Sequence, residues 1–425
     1  MADTRGTPGS TGTSGTDGTR HPDDTRPPHG SGVTDGTRPP HDTGVSDDTR
    51  LPHHTGATDG TGLPRDSWVS DDTTGILDEA LERIHTSGPE RDGWLSNHAP
   101  MAVEALVRRG RAPVVHRWLD RYGPKLEEMP APAAPVTARN WTEALGDPRR
   151  IADWTGYFER ETADRPWRDV LAEWWPRLLP GIAAGATHPV IRVGHSVRTL
   201  LAGAETAPRV RELAHGLGYW AARHQPLPAL QPLGPAPSAA AALDRVERVP
   251  DQSGDIRDRF AQLTGFPRWP GREPAGPEAA RTALRELVRA ATHRYATHGH
   301  GQPVMLVHAA TAPNAVLRTL PALPRALWEP SLGAAWAASA AVTAAYAPPT
   351  GVAAAVAPPP SGCGAAPAGE AAPGGGATVA EELFGRAAAH GDDHTIKFVD
   401  TALDVGDATA FAAALRSIEL NTPVF

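Results

Sequence analysis

The sequence predicts an all-α protein: a multi-helical single globular domain with a disordered N-terminal tail and an internal linker rich in Pro, Ala and Gly. From Gly75 onward, apolar residues recur at intervals of three and four, the spacing of amphipathic helices. Pro stands near the first turn of several of these segments, where its missing N–H leaves no helical hydrogen bond unmade. A sustained run of alternating β-branched residues is missing, and the best strand candidate, Val304–Val307, is short.

The first 74 residues form a low-complexity segment with a twelve-residue repeat. Few large apolar residues occur in it, so it cannot bury enough surface to offset the entropy lost on ordering. Calcium binding is not supported, because an EF-hand loop needs a Glu at its twelfth position and flanking apolar helices. We expect residues 1–74 to be a disordered tail, whose histidines offer at most a weak metal site. The repeated Asp-Asp-Thr or Asp-Gly-Thr triplets begin at Asp23, Asp35, Asp47, Asp59 and Asp71.

The globular body, residues 75–346, begins with a helix predicted from Ile76, Leu77, Leu81 and Ile84. Similar spacing predicts further helices along the body, several of them opened by Pro. In chain order these predicted helices cover Pro100–Arg109, Val114–Tyr122, Asn140–Leu145, Ile151–Glu161, Trp167–Leu179, Pro189–Leu201, Pro208–Arg223, Pro277–His293, Pro313–Leu320 and Leu332–Tyr346.

Residues 347–377 are predicted to be a linker, because Pro, Ala and Gly make up most of this stretch. The single cysteine, Cys363, lies within it and is expected to be inert. Helical spacing returns at Thr378 and continues to the C-terminus. We therefore predict that residues 378–425 form helices that dock back on the body.

Composition excludes several classes of function. The net charge of −8 and the pI of about 6.1 argue against a nucleic-acid partner, which normally requires a basic excess. One cysteine rules out a disulfide framework and a Cys-rich zinc or iron–sulfur site. No basic region followed by an apolar stretch opens the chain, and the apolar run Ser331–Ala347 is too short for a membrane span. We expect a soluble cytoplasmic protein without a membrane partner.

Lysine is rare in this sequence, since Lys125 and Lys397 are the two lysines among 41 basic residues. Where a cation alone is needed the chain uses Arg, so a retained Lys points to a site that needs a primary amine. Lys can lose its proton and act as a nucleophile, and Arg cannot. An accidental retention is the alternative.

His390, His394 and Lys397 are spaced i, i+4 and i+7, which places them on one face of a predicted helix. Two imidazoles one turn apart can both reach a metal ion. A zinc protease is not indicated, because Gly391 stands where a zincin carries its glutamate general base. The alternative is a solvated polar face near the C-terminus.

Histidines also stand at or near the predicted starts of other helices, at His98, His188 and His308. A helix N-terminus disfavours a nearby positive charge and so keeps an imidazole neutral, which is the form that binds metals. His195 shares a helix face with His188, and His215 is a further candidate. A hydrogen-bonded structural role is the alternative for each of these histidines.

Other common catalytic motifs are missing from the sequence. No G-x-G-x-x-G follows a strand, and neither a P-loop nor a G-x-S-x-G nucleophile elbow is present. The carboxylate pairs Glu127-Glu128 and Asp392-Asp393 are expected on the solvated surface. A histidine-based metal site is therefore the chemistry that the sequence favours.

Several motifs, taken in chain order, resemble those of the questin oxidase-like family. The resemblance covers roughly Ile76 to the C-terminus without the linker, and the shared order of the motifs makes it specific. The motifs are Asn97-His98-Ala-Pro-Met101-Ala-x-Glu104, Gly185-Ala-Thr-His188 with Ile191-Arg192-x-Gly-His195, Glu212-Leu-Ala-His215-Gly-Leu-x-Tyr219-Trp220, His308-Ala-x-Thr-Ala-Pro, and His390-Gly-Asp-x-His394-x-Ile-Lys397.

This resemblance implies a helical oxidoreductase that opens a ring of an anthraquinone-like polyketide by a Baeyer–Villiger-type or dioxygenase-like reaction. Dioxygen is the implied co-substrate and NADPH the implied reductant. The resemblance also implies a mononuclear non-haem iron, Fe(II), held by histidines and by a carboxylated lysine. Carried over motif by motif, the implied metal ligands are His98, His188, His308, His394 and Lys397. The residues implied to orient a ligand or move a proton, and so to be catalytic, are His195, His215 and His390.

Two alternatives stay open: a metal-free, NADPH-dependent monooxygenase of the same fold, and a non-enzymatic helical protein that binds an aromatic ligand. Tryptophan accounts for 12 of the Trp, Tyr and Phe residues, against 5 Tyr and 7 Phe. This excess fits either a flat aromatic pocket or ordinary core packing. The tryptophans concerned are Trp154, Trp174, Trp175, Trp220 and Trp336.

Overall fold

Helices form most of the computed structural model, which describes residues 75–270, 275–354 and 375–424. The predicted all-α fold is confirmed, and each helix predicted from the sequence overlaps one that is found. The predicted tail, residues 1–74, and most of the predicted linker lie outside the described residues. In chain order the α-helices are α1 (Ile76–Ile84), α2 (Ala99–Arg108), α3 (Val115–Tyr122), α4 (Trp141–Ala144), α5 (Ile151–Asp164), α6 (Trp167–Leu178), α7 (His188–Ala202), α8 (Ala207–Arg223), α9 (Ala239–Asp244), α10 (Ile256–Phe260), α11 (Pro277–His298), α12 (Pro303–Leu306), α13 (His308–Thr319), α14 (Trp328–Tyr346), α15 (Gly375–His390), α16 (Asp393–Val405) and α17 (Ala408–Leu420).

Short strands accompany these helices. Most of Val304–Val307, the best strand candidate in the sequence, forms α12 instead. A short apolar run fits a strand or a buried helix equally well, and Pro303 in the first turn favours the helix. The strands found are β1 (Glu90–Arg91) antiparallel to β2 (Leu95–Ser96), and β3 (Gln231–Pro235) parallel to β4 (Gly265–Arg268).

Helix α7 runs through the middle of the body, and every residue on it from His188 to Arg198 is buried. It packs against α2, α8 and α13. A Cβ added at Gly194 would lie 2.5 Å from the Cβ and 2.6 Å from the Cα of Ala315 on α13. Only glycine allows so close an approach. The backbones of α7 and α13 are therefore in direct contact at this point.

Helix α13 contains Pro313, which cannot donate a backbone hydrogen bond to the carbonyl of Ala309. The hydroxyl of Ser339 on α14 donates to that carbonyl instead, over 2.7 Å. Fully buried small residues such as Ala338 and Ala341 let α14 pack closely. Neither this apolar helix nor any other in the described part of the chain is long and apolar enough to cross a membrane.

The tryptophans singled out above pack in the core rather than around an open pocket. Trp154 and Trp174 stand edge to face with ring centroids 5.4 Å apart, and Trp175 and Trp220 do so at 5.3 Å. All four side chains are fully buried. Such pairs contribute about 0.5–1.5 kcal/mol each beyond the area that they bury. Core packing, the alternative to an aromatic pocket, is thus their structural role.

The three C-terminal helices pack on the rest of the body: α16 contacts α2 and α13, and α17 contacts α11. Helix α15 begins at Gly375, three residues before the predicted start at Thr378. Gly391, with φ of 78°, turns the chain between α15 and α16. Its carbonyl accepts a 2.8 Å hydrogen bond from Nε1 of Trp118 on α3. The division of the chain into tail, body, linker and C-terminal helices stays a prediction.

Candidate metal centre

Four helices that meet in the core each have a histidine at or next to their first residue. His98 is the residue before α2. His188 and His308 are the first residues of α7 and α13, and His394 is the second residue of α16. One candidate ligand atom from each of these four side chains lies within 4.8 Å of the other three. The structure thus brings together four of the side chains that sequence analysis named as ligands.

A left-handed turn precedes His188 and orients its ring. Gly185, Ala186 and Thr187 all have positive φ, at 52°, 55° and 67°. Residues other than glycine rarely adopt this conformation. Thr187 is the residue directly before α7, and its side chain does not cap the helix. The turn places the Gly185 carbonyl 2.6 Å from Nδ1 of His188, which donates to it.

His308 is oriented in the same way, because its Nδ1 donates to the carbonyl of Met305 over 3.0 Å. With Nδ1 protonated, a neutral imidazole of either residue carries its lone pair on Nε2. Nε2 of His188 lies 2.8 Å from Nε2 of His308 and 2.7 Å from Nε2 of His98. Two lone pairs at 2.8 Å repel each other unless a cation lies between them.

A metal ion fits this arrangement. Two imidazole nitrogens bound at right angles, each about 2.0–2.1 Å from a metal ion, lie about 2.9 Å apart. Burial lowers the pKa values of His98, His188 and His308 well below the ordinary value, and the positive charge of Lys397 lowers them further. The rings are therefore held neutral, as a metal ligand must be.

Lys397 lies on α16 one turn after His394 and is fully buried. Its Nζ has no hydrogen-bond partner among the described residues. Burial lowers the pKa of Lys397 to about 8, against the opposing charges of Asp393 and Asp392. The alternative interpretation of this helix, a solvated polar face, is wrong. The side chains from Asp393 to Ala402 are buried, with the exception of His394.

Asp393 is not among the residues predicted for the site, and the pair Asp392-Asp393 is predicted on the solvated surface. The side chain of Asp393 is buried, and its Oδ1 lies 2.7 Å from Nδ1 of His394, while its Oδ2 lies 3.7 Å from Nδ1 of His98. Burial alone would raise the pKa of Asp393, but the charges of His394 and Lys397 outweigh it and hold this pKa below its ordinary value. A carboxylate behind a ligand histidine fixes the ring and raises its basicity.

The three residues predicted to be catalytic do not belong to this four-histidine group. Nδ1 of His195 donates to Oε2 of Glu104 over 2.6 Å. Nε2 of His215 pairs with a carboxylate on α5 at 3.1 Å. Nε2 of His390 donates to the carbonyl of Asn421, also over 3.1 Å. Their catalytic roles stay predictions.

Comparison with known proteins agrees with the motifs of the sequence. The model of the questin oxidase-like family matches residues 95–402, a span that holds the four histidines and Lys397. A search of curated proteins finds no match to the chain. The resemblance seen in the motifs is confirmed over well more than half of the chain. The chain therefore belongs to the questin oxidase-like family of oxygenase-type oxidoreductases.

Proposed function

We propose that the protein is a non-haem iron oxygenase. Its single Fe(II) ion would be held by His98, His188, His308, His394 and Lys397. The contact between Nε2 of His188 and Nε2 of His308 gives this proposal its main support. Both rings donate Nδ1–H to a carbonyl, so neither has a proton left to place between the two nitrogens. A bound cation removes that repulsion, and imidazole nitrogens suit iron.

Lys397 supplies an oxygen ligand once its amine is carboxylated. The neutral amine attacks carbon dioxide, a nitrogen–carbon bond forms, a proton is released, and the product is an anionic carbamate. A pKa of about 8 leaves a fraction of the amine of Lys397 neutral near pH 7. A guanidinium at this position would stay protonated and could not react. The buried Nζ without a partner among the described residues is the atom that this chemistry uses.

When bound, iron supplies the activation of dioxygen and an open position for an oxygen atom of the substrate. The protein's own residues orient and shield that position. Oδ1 of Asp393 lies 2.7 Å from Nδ1 of His394 and gives that ring a carboxylate neighbour. Thr187 directly precedes His188, and Thr311 follows His308 by one helical turn. The hydroxyls of both threonines are buried and have no hydrogen-bond partner in the described part of the chain. These hydroxyls bind the substrate or a water molecule.

The substrate is a polycyclic aromatic ketone of the anthraquinone type. In the Baeyer–Villiger-type reaction one oxygen atom of dioxygen enters a carbon–carbon bond beside a carbonyl. The other oxygen atom is reduced to water by a hydride from NADPH and a proton from solvent. In the dioxygenase-like reaction both atoms enter the product and no external reductant is consumed. Measuring NADPH consumed per dioxygen consumed distinguishes the two.

The first test is the iron content of wild type, Lys397→Arg and Lys125→Arg, measured by mass spectrometry after anaerobic reconstitution. We expect near-stoichiometric iron in wild type and little in Lys397→Arg. Lys125→Arg is the matched control, because it alters the other lysine, which is exposed, and should keep its iron. His394→Ala should lose both iron and turnover.

The outcomes separate the alternatives. Iron retained in Lys397→Arg and His394→Ala with full activity would refute the proposed site. Substrate-dependent NADPH oxidation that is insensitive to chelators, with no iron bound by wild type, would favour the metal-free monooxygenase. Binding of a quinone without uptake of dioxygen would favour a non-enzymatic ligand-binding protein.

A further inference from the structure

A second buried cluster lies on the same four helices that carry the candidate ligand histidines, about two to three turns further along each of them. Its members are charged, apart from one imidazole. We refer to this cluster as the charge network. It consists of Glu104 on α2 and Arg109 directly after α2, His195 and Arg198 on α7, Arg318 on α13, and Asp400 and Asp404 on α16.

Arg198 lies at the centre of the charge network. Its Nε donates to Oε1 of Glu104 over 2.9 Å, and its Nη1 lies 2.9 Å from Oδ2 of Asp400. The side chain of Arg198 is 7% exposed and that of Asp400 is 0% exposed. One guanidinium therefore joins α2, α7 and α16 in the interior of the protein.

Asp400 accepts from two further helices. Nε of Arg109 donates to its Oδ1 over 2.8 Å, and Nη2 of Arg318 donates to its Oδ2 over 2.7 Å. Both arginines also reach Asp404 one turn later, at 2.6 Å each. The two aspartates thus bind α16 to α2 and α13 at two successive turns.

Each charge of the network is paired with an opposite charge from another of the four segments. Three carboxylates face three guanidiniums, and burial lowers the pKa of His195, so that its neutral ring donates to Glu104. Helix α16 brings two negative charges, α7 and α13 bring one positive charge each, and α2 brings one of each sign. A buried charge without its partner costs several kcal/mol, so a shift of any one helix is opposed.

The charge network is not itself a second metal site. The carboxylate oxygens of Glu104 and Asp400 each receive an arginine N–H or lie in an arginine ion pair. A divalent cation there would also meet the positive charge of three guanidiniums. The network therefore acts on the protein itself.

We propose that the charge network positions the ligand residues for metal binding, with Arg198 and Asp400 as its main positioning residues. The proposal rests on the proposed function, since it assigns the network to the same metal site. Lys397 precedes Asp400 by one turn on the same face of α16. The hydrogen bonds of Asp400 therefore fix how α16 is rotated about its axis and how far it lies along that axis, and so fix the position of Nζ of Lys397 relative to the histidines. The repulsion among the Nε2 atoms pushes the helix ends apart, and the network resists this motion. His195 is then a positioning residue, because it acts through Glu104.

The test is the affinity for Co(II), measured by competition with a chelator, in wild type and Asp400→Asn. This substitution keeps the shape of the side chain and removes its charge. A partner bonded directly to a ligand is worth about 10- to 100-fold in metal affinity. Asp400 acts one step further out, through arginines, so we expect a loss of about tenfold. The visible absorption bands of Co(II) should also change, since they report the arrangement of the ligands.

Glu212→Gln is the matched control. Glu212 is also buried, pairs with Arg192 at 2.5 and 2.8 Å, and lies 3.3 Å from Nε2 of His85. These contacts join α8 to α7 and to the residue after α1, and neither α8 nor α1 carries a proposed ligand. Both variants should unfold at lower temperature than wild type. Glu212→Gln should nevertheless keep the affinity and the Co(II) spectrum of wild type when measured well below its unfolding temperature.

A milder variant covers the case in which Asp400→Asn does not fold. The side chain of Asp404 is 20% exposed, so Asp404→Asn should fold and show the same loss in smaller measure. Wild-type affinity in both aspartate variants would overturn the proposal, as would an equal loss in Glu212→Gln. Absence of Co(II) and Fe(II) binding by wild type itself would instead refute the proposed function, so the two failures are distinguishable.

Discussion

Asp392 and Asp393 are chemically identical neighbours that the fold uses in different ways. Oδ1 of Asp392 accepts from the backbone N–H of Thr395 over 2.8 Å and caps α16. Asp393 is buried between the rings of His394 and His98. A pair of adjacent acids in a sequence does not reveal which of the two turns inward.

This difference predicts unequal results for one substitution made at two neighbouring positions. Asp393→Asn should lower metal affinity by about tenfold or more, because a neutral amide orients His394 less firmly and does not raise its basicity. Asp392→Asn should lower the affinity much less, since Asn caps a helix as well as Asp does and the charge of Asp392 acts on Lys397 less strongly than that of Asp393. Chelator competition on both variants checks this. Equal affinities would show that Asp393 does not support the site.

At the scale of whole elements, the contact between α7 and α13 sets the distance between two of the proposed ligands. Each helix begins at its histidine, and the helices touch at Gly194 and Ala315. The contact lies about two turns from the histidines. Any side chain at position 194 therefore acts as a wedge between the two helices.

We predict that Gly194→Ala destabilises the protein by about 1–3 kcal/mol, as overpacked cores generally do, and weakens metal binding. Gly333→Ala is the control, because a Cβ at this exposed position of α14 meets no atom within 4 Å. Replacing a helical glycine by alanine should there stabilise the protein by about 0.5–1 kcal/mol. Chemical unfolding of both variants measures these changes. A neutral Gly194→Ala would mean that the helices separate without cost.

The helices and the four histidines at their starts were predictable because their signals are local. Pro189 and the apolar spacing after it place the start of α7 within a residue or two of His188. The charge network was not predictable in this way. Arg109 and Asp400 are 291 positions apart, and no local sequence pattern around either residue indicates that the two form a pair. The burial of Asp393 likewise depends on how α16 is rotated against α2.

At the scale of the whole molecule, many buried carboxylates are ionised and paired with arginines. Burial alone would raise the pKa of Glu212, but Arg192 outweighs burial and lowers it from 4.5 to about 2. The pKa of Asp400 is also held well below its ordinary value, because Arg198, Arg318 and Arg109 outweigh burial. A carboxyl group with a lowered pKa stabilises the folded state above its ordinary pKa. That contribution is lost as the pH falls toward the lowered value.

The protein should therefore lose stability steeply between pH 4.5 and pH 2. The lowered pKa of Glu212 alone corresponds to about 3 kcal/mol, of which about 2 kcal/mol is lost between pH 6 and pH 3. Glu212→Gln should be less stable than wild type at pH 6, and its free energy of unfolding should change by about 2 kcal/mol less over this range. Urea unfolding at the two pH values measures both quantities. Parallel pH profiles would contradict the prediction.

The burial of the candidate centre also bears on how fast a metal ion can enter or leave. His98, His188 and His308 are 3%, 7% and 0% exposed, and Lys397 is 0% exposed. The side chain of His394 is 13% exposed, so dioxygen, substrate and a chelator would all approach the ion past this ring. A bulky chelator would therefore remove the ion slowly. Refolding in the presence of the metal would fill sites that brief incubation of the folded protein leaves empty.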